Sequence, residues 1–313
     1  MSGWRRRVAG VGMAGALGLG AVLVAGVPGA GAATAGAAAP GAPTSVDFSA
    51  NLAVTVAGGP SVKASGTGEI DFSTDQLGMV VDVPGSLAPI LKALPSSLAM
   101  ATAGISGDTQ VQAVVSGGTV YAQLPGLNLG GKDWVGVSFP TTAVSKVFAS
   151  AGKALGNVHV ILSALSRRGA TIGSLGNRTV DGVPAVGYRA TVLTAKILRL
   201  LPGLRSGAAS TAAKDIGSTV PVQVWADAQG QVVQVSVSIT RGGSATGVQS
   251  LNASVDFSGY GSAVTVTPPA STAATVIPGS TLRSLVGLPT RAHARTQSVL
   301  RADRKAHRRS KRG

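Results

Sequence analysis

Apolar and polar residues alternate with a period of two over most of this chain, the mark of strands buried on one side only. Val46, Phe48, Ala50, Leu52, Val54 and Val56 alternate with Asp47, Ser49, Asn51, Ala53 and Thr55. Beyond Gly58-Gly59-Pro60, Val62, Ala64, Gly66, Gly68, Ile70 and Phe72 alternate with Lys63, Ser65, Thr67, Glu69, Asp71 and Ser73, which predicts a long hairpin with one polar and one apolar side. A second hairpin centres on Asp181-Gly182, a pair that supplies the positive φ angles of a tight turn. After it Val186, Tyr188, Ala190 and Val192 share a face, opposite Arg189 and Thr191. Further strands are predicted at Leu77–Val83, Thr109–Val115, Thr119–Leu124, Trp134–Phe139, Val220–Ala226, Val232–Ile239 and Gln249–Phe257. Asp227-Ala228-Gln229-Gly230 is a predicted turn, and Ala263–Thr267 a short edge strand stopped by Pro268-Pro269.

Four segments change to helical period. Pro84–Met100 aligns Leu87, Ile90, Leu91 and Leu94; Thr141–Leu155 aligns Val144, Val147, Phe148, Ala151 and Leu155. Asn157–Arg168 opens on a capping residue, aligns Val158, Ile161, Leu162 and Leu165, and ends in Arg167-Arg168 before Gly169. Ala195–Leu204 is a shorter apolar helix. The expected fold is mainly β (α+β): roughly ten antiparallel strands, with three or four helices inserted between hairpins. One sheet face is polar throughout and the other must be covered. Helices so few cover only part of a sheet that wide, so the sheet curls over them or a cavity remains.

The ends of the chain differ from its middle. Arg5-Arg6-Arg7, the apolar run Val8–Val27 and Ala30-Gly31-Ala32 have the form of a cleavable export signal, assigned to residues 1–32; an uncleaved anchor is the alternative. Either the general or the twin-arginine route fits. Residues 33–44 are a flexible Ala/Gly/Pro leader, 45–270 a single domain, and 271–313 a basic disordered tail. The formal charge of +15 resides mostly outside the domain: residues 44–275 hold 14 basic and 11 acidic side chains. Arg301, Arg304, Lys305, Arg308, Arg309, Lys311 and Arg312 are candidates for binding anionic wall polymers or a membrane surface; a solvated end is the alternative. An export context argues against nucleic acid.

The chain has no cysteine, which excludes disulfides, a thiol nucleophile and an acylated lipoprotein anchor. Catalytic readings find little. His159 is the one histidine of the domain region and sits in a predicted helix, with no nucleophile elbow in the sequence. Glu69 and Asp71 share a strand face that reads as solvated. No clustered metal ligands occur, and no cofactor motif. Trp225 falls on the polar face, either as a partner contact or packed against a helix or loop. An outer-membrane barrel is disfavoured by the lack of aromatic girdles.

Several stretches resemble the actinobacterial LppX/LprG-type envelope proteins of the LolA-like superfamily. They are Gly176-Asn-Arg-Thr-Val-Asp-Gly-Val-Pro-Ala-Val-Gly-Tyr-Arg-Ala190, Pro221-Val-Gln-Val-Trp-Ala-Asp-Ala-Gln-Gly-Gln-Val232 and Phe257-Ser-Gly-Tyr-Gly-Ser-Ala-Val-Thr-Val-Thr-Pro-Pro269, preceded by Gly118-Thr-Val-Tyr-Ala-Gln-Leu-Pro125 and Lys132-Asp-Trp-Val135. The resemblance implies a curved antiparallel half-barrel, its concave apolar side partly plugged by helices, with space for the acyl chains of lipids or lipoglycans. It implies a non-enzymatic carrier; members are mostly lipoproteins, whereas this chain, with an export signal and no cysteine to acylate, is expected to be secreted or wall-associated. Candidate ligand-lining residues on the apolar face are Phe48, Leu52, Val54, Ile70, Phe72, Met79 and Val81. The alternatives are an ordinary filled core on the same fold, and a wall-associated interaction protein retained by its tail.

Overall fold

A computed structural model describes residues 42–56, 61–85, 108–123, 131–193, 219–240 and 248–279. Within them lie twelve strands: β1 (Ser45–Val56), β2 (Ser61–Asp71), β3 (Gln76–Val83), β4 (Thr109–Ser116), β5 (Thr119–Gln123), β6 (Trp134–Ser138), β7 (Thr171–Val180), β8 (Val183–Leu193), β9 (Thr219–Ala226), β10 (Val232–Thr240), β11 (Val248–Ser258) and β12 (Ala274–Pro278). Two helices, α1 (Thr141–Gly156) and α2 (Val158–Arg167), separate β6 from β7. All twelve strands join one open, curved sheet in the order β12-β6-β5-β4-β3-β2-β1-β11-β10-β9-β8-β7. The predicted mainly-β half-barrel is therefore the observed fold. The strand total is twelve rather than ten; β7 is the first strand of the predicted Asp181-Gly182 hairpin, and β12 shows too little alternation to be read from sequence. Of the expected helices, Thr141–Leu155 and Asn157–Arg168 form; Pro84–Met100 and Ala195–Leu204 lie almost wholly outside the described residues.

Local chemistry sets the turns. Asp181 and Gly182 both have positive φ, 47° and 84°, and close the β7–β8 hairpin as their residue types predict. Asp71 Oδ1 accepts hydrogen bonds from Ser73 N (2.8 Å), Ser73 Oγ (2.6 Å) and Thr74 N (3.2 Å), which fixes the bend into β3. Burial opposes ionisation of that carboxyl, yet the bonds outweigh it and hold its pKa below the ordinary value. Asp227 Oδ1 accepts from Gln229 N and Gln231 N between β9 and β10. Asn157 Oδ1 accepts from His159 N and caps α2.

The sheet has two antiparallel wings, β2–β6 and β7–β11, and β1 lies between them. It pairs with β2 on one side and β11 on the other. The chain then leaves β11 and crosses to the far edge, where β12 pairs with β6 in parallel. Ser45 Oγ donates to the Ser262 carbonyl, and Gly261 N to the Ser45 carbonyl, pinning the start of this crossover. Ala263–Thr267 is thus part of the connection and not the edge strand expected. Val266 is nonetheless buried, facing Gly78 from the polar side. The ordered sheet also extends beyond residue 270, where composition alone had placed the start of the tail.

Tyr260 anchors the same connection, its hydroxyl donating to the Val232 carbonyl. Burial, reinforced by the Asp227 carboxylate, pushes its phenol well above the ordinary value of 10.0. The folded state therefore holds the Tyr260 proton more tightly than the unfolded chain. The stabilisation this gives is complete below the unfolded pKa and is lost as pH rises above it toward the folded pKa. Tyr260→Phe is expected to cost about 1 kcal/mol at neutral pH. It should also flatten the fall in unfolding midpoint between neutral pH and about pH 11, as followed by circular dichroism.

Candidate functional site

Register turns the alternation of single strands into rows that run across the sheet. Tyr188, Val224, Val235, Val255, Ala50, Gly66, Val81 and Val111 are successive partners across eight strands. A second row joins Phe257, Phe48, Gly68, Met79, Ala113, Ala122, Val135 and Thr275. A third joins Val46, Ile70, Leu77, Val115, Val120, Val137 and Ile277. Apart from Thr275 these are apolar or glycine, so together the rows make the inner face continuous from β8 to β12.

The two helices lie on that face and contact chiefly β7, β8, β9 and β10. Their Phe148, Leu155, Val158 and Leu162 form the main core with Val46, Ile70, Ala190, Val192, Val222, Val224, Val235 and Phe257. At Gly152 the helix approaches so closely that an added Cβ would lie 3.2 Å from the Phe72 ring. Each buried Val or Leu side chain here contributes about 1.5–3 kcal/mol of transfer free energy.

The seven candidate ligand-lining residues divide into two groups. Ile70 is buried in the main core, and Phe48 and Phe72 pack against it. Leu52, Val54, Met79 and Val81 are only half-buried and stand outside that core. The four lie on the inner face of β1 and β3, away from the strands that the two helices contact. The small residues Ala50, Ala64, Gly66 and Gly68 lie among them, as the sequence suggested.

A cavity of about 860 Å³ borders the same strands, but on the other side of the sheet. Leu52, Ala64, Val83, Thr109, Val237 and Ala253 line it together with Ala53 and their polar neighbours Asn51, Lys63, Ser65, Asp82, Gln110, Ser236, Ser238, Asn252 and Ser254. Their inner-face neighbours two positions away, such as Ala50, Val54, Val81 and Val111, do not. The polar side chains form the banks of a trough, and the backbone of the intervening row forms its floor. Leu52 is the single ligand candidate that borders it. Ser65 and Gln110 donate to Asp82, and Ser238 to Asn252, so many of its polar groups already satisfy one another.

The outer face is not polar throughout, contrary to the sequence reading. Val180, Ala185, Trp225 and Val233 form a small second core there, with Leu175 against it. Trp225 packs within the sheet, not against a helix or loop: a Cβ at Gly187 would lie 2.5 Å from its ring. The Arg178 guanidinium stacks 3.8 Å over that ring and donates to Gln234, which in turn donates to Asp256 at 2.5 Å. No residue pattern in the sequence marks this cluster, because the partners come from four strands.

His159 is exposed on α2, and Asp71 serves its own turn rather than Glu69. Among the described residues no group of His, Cys, Asp or Glu could hold a metal ion, and no single helix is long and apolar enough to cross a membrane. The polar face therefore offers hydrogen bonding, and the inner face a broad apolar surface.

The chain is a mainly-β half-barrel, an open sheet bearing helices on its apolar face. No protein family matches it by sequence, and no curated protein does. Among solved structures it is similar to the lipoprotein LppX of Mycobacterium tuberculosis, at 14% identity and a TM-score of 0.37, over 72% of this chain and 90% of that one. It is similar to LprF of Mycobacterium bovis, at 14% identity and a TM-score of 0.38, over 73% and 90%. A LolA superfamily protein of Nitrosomonas europaea is similar at 8% identity and a TM-score of 0.23, over 72% and 88%.

Proposed function

We propose that this protein is an exported, non-enzymatic carrier of lipids or other amphiphiles in the cell envelope, released from its signal peptide and held by no acyl anchor. One observation carries the reading. The apolar rows together run from β8 to β12, while Leu52, Val54, Met79 and Val81 remain half-buried outside the core that the two helices fill. Each methylene of a guest moved from water onto such a surface gains about 0.8 kcal/mol, so an acyl chain needs no charged contact to bind. The resemblance to envelope lipoproteins agrees in kind. The rival reading, a filled fold acting only as a wall-associated interaction protein, draws on Phe48, Ile70 and Phe72, which are engaged in the core.

Mass spectrometry of organic extracts from protein purified out of its own host separates the two. A stoichiometric lipid or amphiphile is expected. A clean extract, together with no uptake of a fluorescent fatty acid by the purified protein, would overturn the carrier and leave the rival.

A further inference from the structure

We propose that the trough on the outer face of the sheet binds a linear, uncharged polysaccharide chain. The cavity of about 860 Å³ runs across six neighbouring strands, β10, β11, β1, β2, β3 and β4. At the spacing of paired strands this is about 24 Å of length, and its banks, two residues apart along each strand, stand about 7 Å from one another. One bank is a single registered row of Ser236, Ser254, Asn51, Ser65, Asp82 and Gln110. The other holds Ser238, Asn252 and Lys63, with Asp108 beyond them. The row between the banks turns Val237 and Ala253 into the interior, where both are buried, so the trough and the apolar face do not communicate there.

The lining selects the class of ligand. Its floor is backbone already paired in the sheet ladders, so a peptide finds no free N–H or C=O there. Lys63 is the one cation among the described lining residues and is set against Asp82 and Asp108, which disfavours a polyanion. Ser65 and Gln110 are spent on Asp82, but among the described residues the side chains of Asn51, Lys63, Ser236 and Ser254 make no hydrogen bond. Ser238 donates to the Asn252 carbonyl oxygen and leaves that amide's N–H groups open. Facing rows of hydroxyls, amides and one ammonium suit a molecule that carries donors and acceptors along its whole length, as a chain of sugar rings does. No aromatic ring stands among the described lining residues, so each sugar contributes hydrogen bonds alone and binding needs several rings held at once. A sugar headgroup on an amphiphile seated against the inner face cannot supply them, because the sheet lies between. The site therefore does not depend on what the inner face carries.

The test is calorimetric titration of the protein with maltohexaose, mannohexaose, cellohexaose and xylohexaose. At least one is expected to bind, at least about tenfold more tightly than its own monosaccharide, because the chain meets several strands together. Asn51→Ala/Ser254→Ala should lower that affinity about tenfold, and Lys63→Met about fivefold. Both variants change side chains on the polar face, and unfolding midpoints show whether each is folded. Fatty-acid uptake should be unchanged in them, so the carrier and the polysaccharide site fail separately. Binding by none of the four sugars, tighter binding of hexagalacturonate than of every neutral chain, equal affinity for monosaccharide and hexasaccharide, or wild-type affinity in the folded double variant would each overturn the proposal.

Discussion

Replacing Gly68 with alanine is expected to destabilise the protein by about 3 kcal/mol, and valine there to prevent folding altogether. A Cβ at this position would meet the Gly78 carbonyl on β3 and lie 2.6 and 2.8 Å from two ring carbons of Phe48. The Phe48 ring occupies the space above β2 that only a hydrogen leaves open. The carbonyl is part of the ladder with β3 and cannot swing away without breaking register. Phe48 in turn packs against the main core, so the strain spreads to both wings. Chemical denaturation of Gly68→Ala, compared with Gly173→Ala, provides the measurement. Gly173 lies on the edge strand with nothing near its missing side chain and should tolerate alanine well. Equal stability of the two variants would show that the Phe48–Gly68 contact is slack.

Met79→Asp/Val81→Asp is expected to lower fatty-acid affinity at least about tenfold while leaving the fold intact. These side chains are half-buried on β3 and outside the helix-covered core, so a carboxylate there keeps access to water in the empty protein. A bound acyl chain would remove that water and force the charge into an apolar surrounding. Val224→Asp sets the contrast: its site has no exposure at all, and the same charge should unfold the chain. Fluorescence titration together with a thermal melt distinguishes the cases. Wild-type affinity in a folded double variant would remove β3 from the ligand surface.

Much of the architecture was legible in the sequence because half-exposed strands print their two faces alternately. β1, β2 and β8–β11 follow the predicted alternation closely, and Asp181-Gly182 closes the turn its chemistry requires. What could not be read is which strands become neighbours. Nothing in Val46–Val56 shows that its second partner is β11, about 200 residues away, since any apolar strand of similar length would satisfy the same pattern. β7 was legible only as the first arm of the Asp181-Gly182 hairpin, since Gly173 and Gly176 interrupt its own alternation, and β12 was hidden in a stretch dominated by Ala, Ser, Thr and Pro. The candidate ligand face was legible as a face, whereas its division was not. Phe48, Ile70 and Phe72 join the core because α1 and α2 settle over that end of the sheet, and helix placement is a tertiary outcome. Trp225 illustrates the same limit: its partners Gly187, Arg178 and Gln234 meet only after β7–β10 align.

The central position of β1 bears on when the protein can finish folding. Its seam with β11 joins the chain's beginning to its near-end, so the two wings cannot unite until almost all residues are available. Contacts that distant in sequence form slowly, because a large loop must close before any of them is rewarded. For the exported chain proposed above, threaded through a narrow channel, that delay would keep the two wings separate in transit until β11 pairs with β1 and locks them together on the far side.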